Sequence, residues 1–148
     1  MEEPPPSMSQ PRNSDALTVM TVAGFDPSGG AGLLADIKTF ESEGLLGLAV
    51  QTALTVQNDI SFESCRWEPE ESIIDQVEIL LKRFKPAAVK IGIIEGIAQI
   101  HSLLDLLPED IPIVWDPVLK ASAGFEFHDD FSDDFLTGWE SLLPRITL

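Results

Sequence analysis

Residues 16–40 read ALTVMTVAGFDPSGGAGLLADIKTF. Residues 16–23 are a short apolar run that stops at a glycine, the pattern of a buried strand. Residues 24–30 form a glycine-rich loop. In residues 31–43, Leu33, Leu34, Ile37 and Phe40 fall on one helical stripe. Gly44 then suits the helix C-terminus.

The same alternation repeats outward from this stretch. Residues 49–57 (AVQTALTVQ) are rich in Val and Thr and read as a strand, with Gln51, Ala53, Thr55 and Gln57 on one face. Residues 60–67 read as an edge-like strand. Residues 69–84 carry the clearest helical period, with Ile73, Ile74, Val77, Leu80, Leu81 and Phe84 on one side and Pro69 near the start. Residues 87–93 are a strand. Residues 96–107 are a helix with Ile97, Ile100, Leu103, Leu104 and Leu107 inward. Residues 111–115 are a strand, 116–128 a loop, and 129–143 a helix opening with acids, which its dipole favours. Residues 145–148 (RITL) look like a strand beginning. Strands alternating with helices imply an α/β fold, a mostly parallel sheet covered by helices. A strand of three or four residues makes a poor edge, so the sheet is expected to continue in sequence beyond residue 148 and to be incomplete here at its C-terminal side.

Composition bounds the function. The chain has 148 residues, 44% of them hydrophobic, enough for one domain with a core. Residues 1–15, rich in Pro, Ser and charge, are expected to be a flexible tail, leaving 16–148 as the folded part. No apolar run approaches the ~20 residues of a membrane span, and the first residues lack the apolar stretch of a signal peptide. Cys65 stands alone, which excludes an internal disulfide framework and fits a reducing compartment, the cytoplasm by default. A net charge of −16 argues against nucleic acid and anionic membrane surfaces as partners.

In open parallel sheets ligands bind beyond the carboxyl ends of the strands. Four such ends carry polar or glycine residues: Gly24-Phe25-Asp26, Gln57-Asn58, Gly92-Ile93 and Asp116-Pro117-Val118. Any loop tends to be polar and glycine-rich, but four on one rim argue for a pocket. The glycine spacing is not a phosphate-binding Walker loop, because Gly30 and Ala31 stand where Lys and Ser/Thr are required. It is a poor dinucleotide fingerprint too, because the strand ends too early and no acid follows about 20 residues on. What remains is a loop whose backbone can approach a ligand closely and that leads into a helix N-terminus. His101 and Asp105 lie four apart on a helix without a further ligand, a weak metal signal. Cys65 beside Arg66 would have a lowered pKa if reactive, against the simpler reading of a packed thiol. Trp67, Trp115 and Trp139 read as core residues.

GFDPSGGAGLLADIKTF resembles the opening signature of the hydroxymethylpyrimidine/phosphomethylpyrimidine kinases of thiamine synthesis, A-G-x-D-P-S-G-G-A-G-x-x-A-D-x-K-T-F. ALTVQN, VKIGII and VWDPVLKASAGF match that family in order and spacing, so the resemblance spans residues 17–148. It implies a ribokinase-like α/β fold, of which the chain is the amino-terminal portion. It implies ATP-dependent phosphorylation, with Mg2+, of 4-amino-5-hydroxymethyl-2-methylpyrimidine and then of its monophosphate. By the resemblance Asp36 holds the pyrimidine and Gln57 pairs with the ring through its amide. Ala23 and Gly24 line the floor, and Ile93 and Val118 sandwich the ring. Asp116 lies near the phosphates and magnesium, and Lys120 reaches a phosphate. Thr55 departs from the aliphatic residue common at that position.

The family's T-P-N motif, its G-T/S-G-C anion hole and the aspartate base beside it have no counterpart here, so no catalytic residue is assigned in this chain and the metal ligands stay undetermined. Three readings follow: a kinase represented by its substrate half, a non-catalytic truncated fragment or pyrimidine-binding module, and a pyridoxal-type kinase, since those enzymes share parts of the pattern. Homodimers are common in the resembling family, and nothing in the sequence itself specifies one.

Overall fold

The structure is a computed structural model that describes residues 16–118, 127 and 138–147. The expected tail, Lys120, most of the 116–128 loop and residues 129–137 of the expected helix lie outside the described residues.

Five strands and three helices follow one another: β1 (Thr18–Phe25), α1 (Gly32–Ser42), β2 (Leu46–Gln57), β3 (Phe62–Trp67), α2 (Glu70–Leu81), β4 (Val89–Ile91), α3 (Ile97–Leu106) and β5 (Ile113–Trp115). The sheet order is β3-β2-β1-β4-β5. β1 pairs in parallel with β2 and β4, and β4 with β5. β3 returns antiparallel along β2 and forms the edge, as its sequence suggested.

Side chains on a strand alternate between faces, and here the two faces differ in chemistry. Met20 and Val22 of β1, Leu48 and Val50 of β2, Val89 and Ile91 of β4 and Ile113 of β5 are buried in one cluster with Ile73 and Val77 of α2 and Ile100, Leu103 and Leu104 of α3. That face is a dry aliphatic core, and a hydrogen bond from Ser102 Oγ to Glu70 Oε1 ties its two helices together. The opposite face carries Thr21 and Lys90, which are direct partners in the β1–β4 ladder. α1 covers this second face, reaching Thr21 through Asp36. Polar groups therefore lie under α1 and aliphatic ones under α2 and α3.

Element ends differ from the expectations for local reasons. β2 begins at Leu46, earlier than residue 49, because Leu46 already pairs with Thr18. β4 and β5 each keep only three ladder residues: both lose the start of the expected run, and β4 also loses Gly92 and Ile93, which line the cavity. The described residues 145–147 of the expected last strand are not in a strand. Leu143–Arg145 is a short 3-10 turn, with Pro144 at its start. Trp139–Ser141, at the end of the expected last helix, is another. Beyond these turns Thr147 N donates to Ile113 O at 2.7 Å, and its hydroxyl accepts from Ile113 N at 3.1 Å. The backbone at Thr147 thus lies along β5 through a single residue.

Candidate functional site

β1 runs on into α1 over one face of the sheet, while the loop after β4 leads to α3 on the other. Adjacent strands whose continuations part in opposite directions leave a crevice at their carboxyl ends. A cavity of about 500 Å3 opens there. Ala23, Gly24, Asp36, Gln57, Ile93, Asp116 and Val118 all line it, so every described residue of the expected site comes together. Lys120 lies outside the described residues.

The floor is shaped by missing side chains. A Cβ on Gly24 would meet Ile93 Cδ1 at 2.5 Å, so glycine there is what lets Ile93 lie across the end of β1. A Cβ on Gly92 would meet the Ala23 Cβ at 2.9 Å. The β1–β2 register shifts between Ala23 and Gly24, and Thr52, beside this bulge, donates from its hydroxyl to Ile93 O at 2.5 Å. Thr55 also lines the cavity, but its hydroxyl is turned to the backbone and donates to Phe25 O at 2.8 Å. This fixes the end of β1 and leaves the Thr55 methyl as its apolar part, which is how a threonine can stand where an aliphatic residue is common.

The glycine-rich loop is organised by Asp26, which the sequence reading did not single out. Its carboxylate is buried at 4% exposure. Oδ1 accepts from Ser28 N at 2.8 Å. Oδ2 accepts from Ser28 Oγ at 2.9 Å, Gly30 N at 3.1 Å and Ala31 N at 2.9 Å. The amides that lead into α1, a ready anion site in other loops, are thus filled by the chain's own carboxylate. This loop is a wall of the cavity and its amides are not a free phosphate cradle. The signal was present in the string Asp-Pro-Ser-Gly-Gly, since Asp before a turn commonly accepts from the backbone that follows.

Lys90 is a second residue of the cavity wall outside the expected site. Its ammonium meets Asp36 Oδ2 at 2.9 Å and Oδ1 at 3.0 Å. Thr21 Oγ1 donates to Asp36 Oδ2 at 2.6 Å. A lysine inside an otherwise apolar parallel strand demands an opposite charge nearby, and VKIG contains that demand. Phe127 is the third. It lines the cavity and stands edge-on to Phe62, with ring centroids 5.4 Å apart, and near Trp67 at 6.2 Å. Trp67 is therefore half-buried against an aromatic group beside the site and is not a core residue.

Three polar side chains line the cavity without a hydrogen-bond partner among the described residues, the Gln57 amide and the Asp59 and Asp116 carboxylates. Asn58, by contrast, closes the β2–β3 turn, its Oδ1 accepting from Ile60 N and Ser61 N. Burial, and then the negative charge of Glu95, push the Cys65 thiol up to about 11, so it is protonated at neutral pH. Among the described residues no group of three His, Cys, Asp or Glu side chains could hold a metal. None of the described helices is long and apolar enough to cross a membrane.

Similarity to known proteins runs through most of the chain. A family profile described as phosphomethylpyrimidine kinase matches residues 26–148. The hydroxymethylpyrimidine/phosphomethylpyrimidine kinase of Saccharomyces cerevisiae is 36% identical over 124 residues, 82% of this chain and 22% of that protein. Its counterpart from Haemophilus influenzae is 37% identical over 114 residues, 75% of this chain and 42% of that protein. The crystal structure of phosphomethylpyrimidine kinase from Clostridium difficile superposes with a TM-score of 0.66 at 35% identity, covering 74% of this chain and 48% of that one. Pyridoxal kinase from Staphylococcus aureus in complex with pyridoxal superposes with a TM-score of 0.61 at 28% identity, covering 70% and 40%. The chain thus spans less than half the length of these relatives. Its fold is that of the ribokinase-like vitamin kinases, and the chain belongs to the phosphomethylpyrimidine kinase family.

Proposed function

We propose that this chain forms the substrate half of an ATP-dependent kinase that phosphorylates the hydroxymethyl group of 4-amino-5-hydroxymethyl-2-methylpyrimidine and then the resulting monophosphate. The observation that carries the reading is the cavity at the strand ends. It joins an apolar floor and flanks (Ala23, Gly24, Ile93, Val118) to two hydrogen-bonding groups of complementary kind, the Asp36 carboxylate and the free Gln57 amide. An aminopyrimidine is a flat ring with N–H donors and ring-nitrogen acceptors on its edge. Gln57 can donate and accept at once, and Asp36 can only accept. Ile93 and Val118 would hold the two ring faces.

The phosphate side would begin at Asp116, beyond β5. A carboxylate oxygen is a donor of the kind magnesium takes, usually beside phosphate oxygens and water. Asp116 fits as one such ligand, and the described residues do not complete a metal site by themselves. Bound ATP and Mg2+ would supply the phosphoryl group and the neutralisation of its charge. Lys120 is carried as a phosphate contact by family likeness alone. No residue of this chain is assigned as the base. The lone cysteine supports a cytoplasmic setting, and nothing in the site requires a second copy of the chain.

Titration calorimetry of the purified chain with the hydroxymethylpyrimidine tests the reading. Binding is expected, and Gln57→Ala and Asp36→Ala should each weaken it about tenfold or more, the worth of a hydrogen bond in a desolvated site. A folded chain with no affinity for the pyrimidine would refute the assignment. Tighter binding of pyridoxal than of the pyrimidine would move it to a pyridoxal-type kinase.

A further inference from the structure

Lys90 has no part in the proposed contacts with the ring, yet it lies against the one charged group that does. Its place follows from the sheet. Lys90 and Thr21 are direct partners in the β1–β4 ladder, so their side chains leave the same face side by side. Asp36 comes down onto both from α1. The next outward positions on that face of the two strands are Ala23 and Gly92, both small and both lining the cavity. The ion pair is thus the inner wall of a pocket whose floor is otherwise nearly free of side chains. Side-chain exposures of 26% for Lys90 and 16% for Asp36 leave both in view of the cavity.

The hydrogen bonds around Asp36 can be counted. A carboxylate offers about four acceptor positions. Oδ2 uses two, for Thr21 and Lys90, and Oδ1 uses one, for Lys90. One position, on Oδ1, remains for a ligand. Lys90 also cancels the charge of Asp36, so the wall presents a fixed acceptor without a net negative charge. From this geometry we infer that Lys90, assisted by Thr21, is a positioning and specificity residue. It fixes the Asp36 carboxylate so that one acceptor faces the cavity and selects an uncharged ring that brings a single N–H donor to that point. The inference rests on the proposed role of Asp36 in pyrimidine binding.

A strut that merely anchors α1 to the sheet would have the same bonds, so the test must separate affinity from stability. Calorimetric affinity for the hydroxymethylpyrimidine and the melting temperature would be measured together for the full chain and its variants. Lys90→Met is expected to weaken binding about tenfold to a hundredfold and Thr21→Val by roughly threefold to tenfold, as loss of a charge-assisted or neutral hydrogen bond implies. Lys90→Arg, which can still pair with both carboxylate oxygens, should stay within about threefold of the parent protein. On an Asp36→Ala background Lys90→Met should cost no further affinity, because Lys90 acts through Asp36. Melting temperatures that fall while affinity holds would reduce the pair to a strut and overturn the inference, as would additive losses in the double variant. Should Lys90→Met not fold, unchanged affinity in Thr21→Val has the same force. Absence of binding by the parent chain would instead strike the proposed function, and this inference with it.

Discussion

Asp26 does at the scale of one residue what a bound anion does in other glycine-rich loops. Its four hydrogen bonds gather the amides of Ser28, Gly30 and Ala31 and the Ser28 hydroxyl around one carboxylate. Asparagine is nearly isosteric but cannot replace it. In its better orientation its oxygen takes the place of Oδ2 and its NH2 group faces Ser28 N, donor against donor. Each buried donor left unsatisfied costs about 1–3 kcal/mol, so Asp26→Asn should lower unfolding stability by about 1–3 kcal/mol, read from urea denaturation. A loss below about 1 kcal/mol would mean that the loop re-forms around another acceptor or water. The carboxylates show how far single residues were legible. Asp36, Gln57 and Asp116 each sit in a recognisable string, and all three line one cavity. Asp26 sits in the same string, but the glycines around it suggest an open cradle and hide its role as the loop's own acceptor. The role of Lys90 is not legible in the same way, because a strand pattern shows which face is buried but not which distant helix delivers the countercharge.

At the scale of elements the junction between β1 and α1 carries the most constraint. Gly32 opens α1 with φ +56°, and a Cβ there would run into the carbonyl oxygen of Gly24. Phe25 and Gly32 also form an antiparallel bridge, so the loop closes back on the strand it left. Gly44, just after the same helix, has φ +75° but open space around its Cβ position. The two glycines separate conformational cost from collision. Gly44→Ala should cost about 1–2 kcal/mol, the price of a left-handed backbone with a side chain. Gly32→Ala should cost at least about 2 kcal/mol more, since the carbonyl it meets is backbone and part of the cavity wall. Parallel urea titrations decide between them, and equal losses would show that the junction can relax. Helix stripes were legible here to within a turn: α2 was expected over 69–84 and spans Glu70–Leu81. Strand limits were less so. An apolar run reports burial, whereas a ladder also needs a partner in register. The runs at 87–93 and 111–115 keep only Val89–Ile91 and Ile113–Trp115 in the ladder.

At the scale of the whole molecule, the question is whether residues 138–147 belong to the same cooperative unit as the sheet. Three observations tie them to it. Leu142 is 1% exposed within the aliphatic cluster of β1, β4, α2 and α3. Arg145 sends its guanidinium to the carbonyls of Leu104, Leu107 and Pro108 at 3.1–3.5 Å, closing the C-terminus of α3, where unpaired carbonyls and the helix dipole favour a cation. Thr147 exchanges two hydrogen bonds with Ile113 on β5. The sequence at 145–148 suggests a strand, and of the described residues there only Thr147 pairs with β5. What could not be read there was that Pro144 would start a turn and that Arg145 would serve a helix 40 residues away. If the segment folds with the rest, Leu142→Ala removes a fully buried side chain from the common core and should cost about 3 kcal/mol, within the usual range for such a truncation. The urea transition should then stay single and move to lower denaturant with its slope unchanged, because the surface exposed on unfolding is the same. An early separate step, or a midpoint that does not move, would show that 138–147 only rests on a domain that is stable without it. Since a domain of this size has a net stability of only about 5–15 kcal/mol, a loss of that size would make the anchoring of one short segment a large share of what holds the fold together.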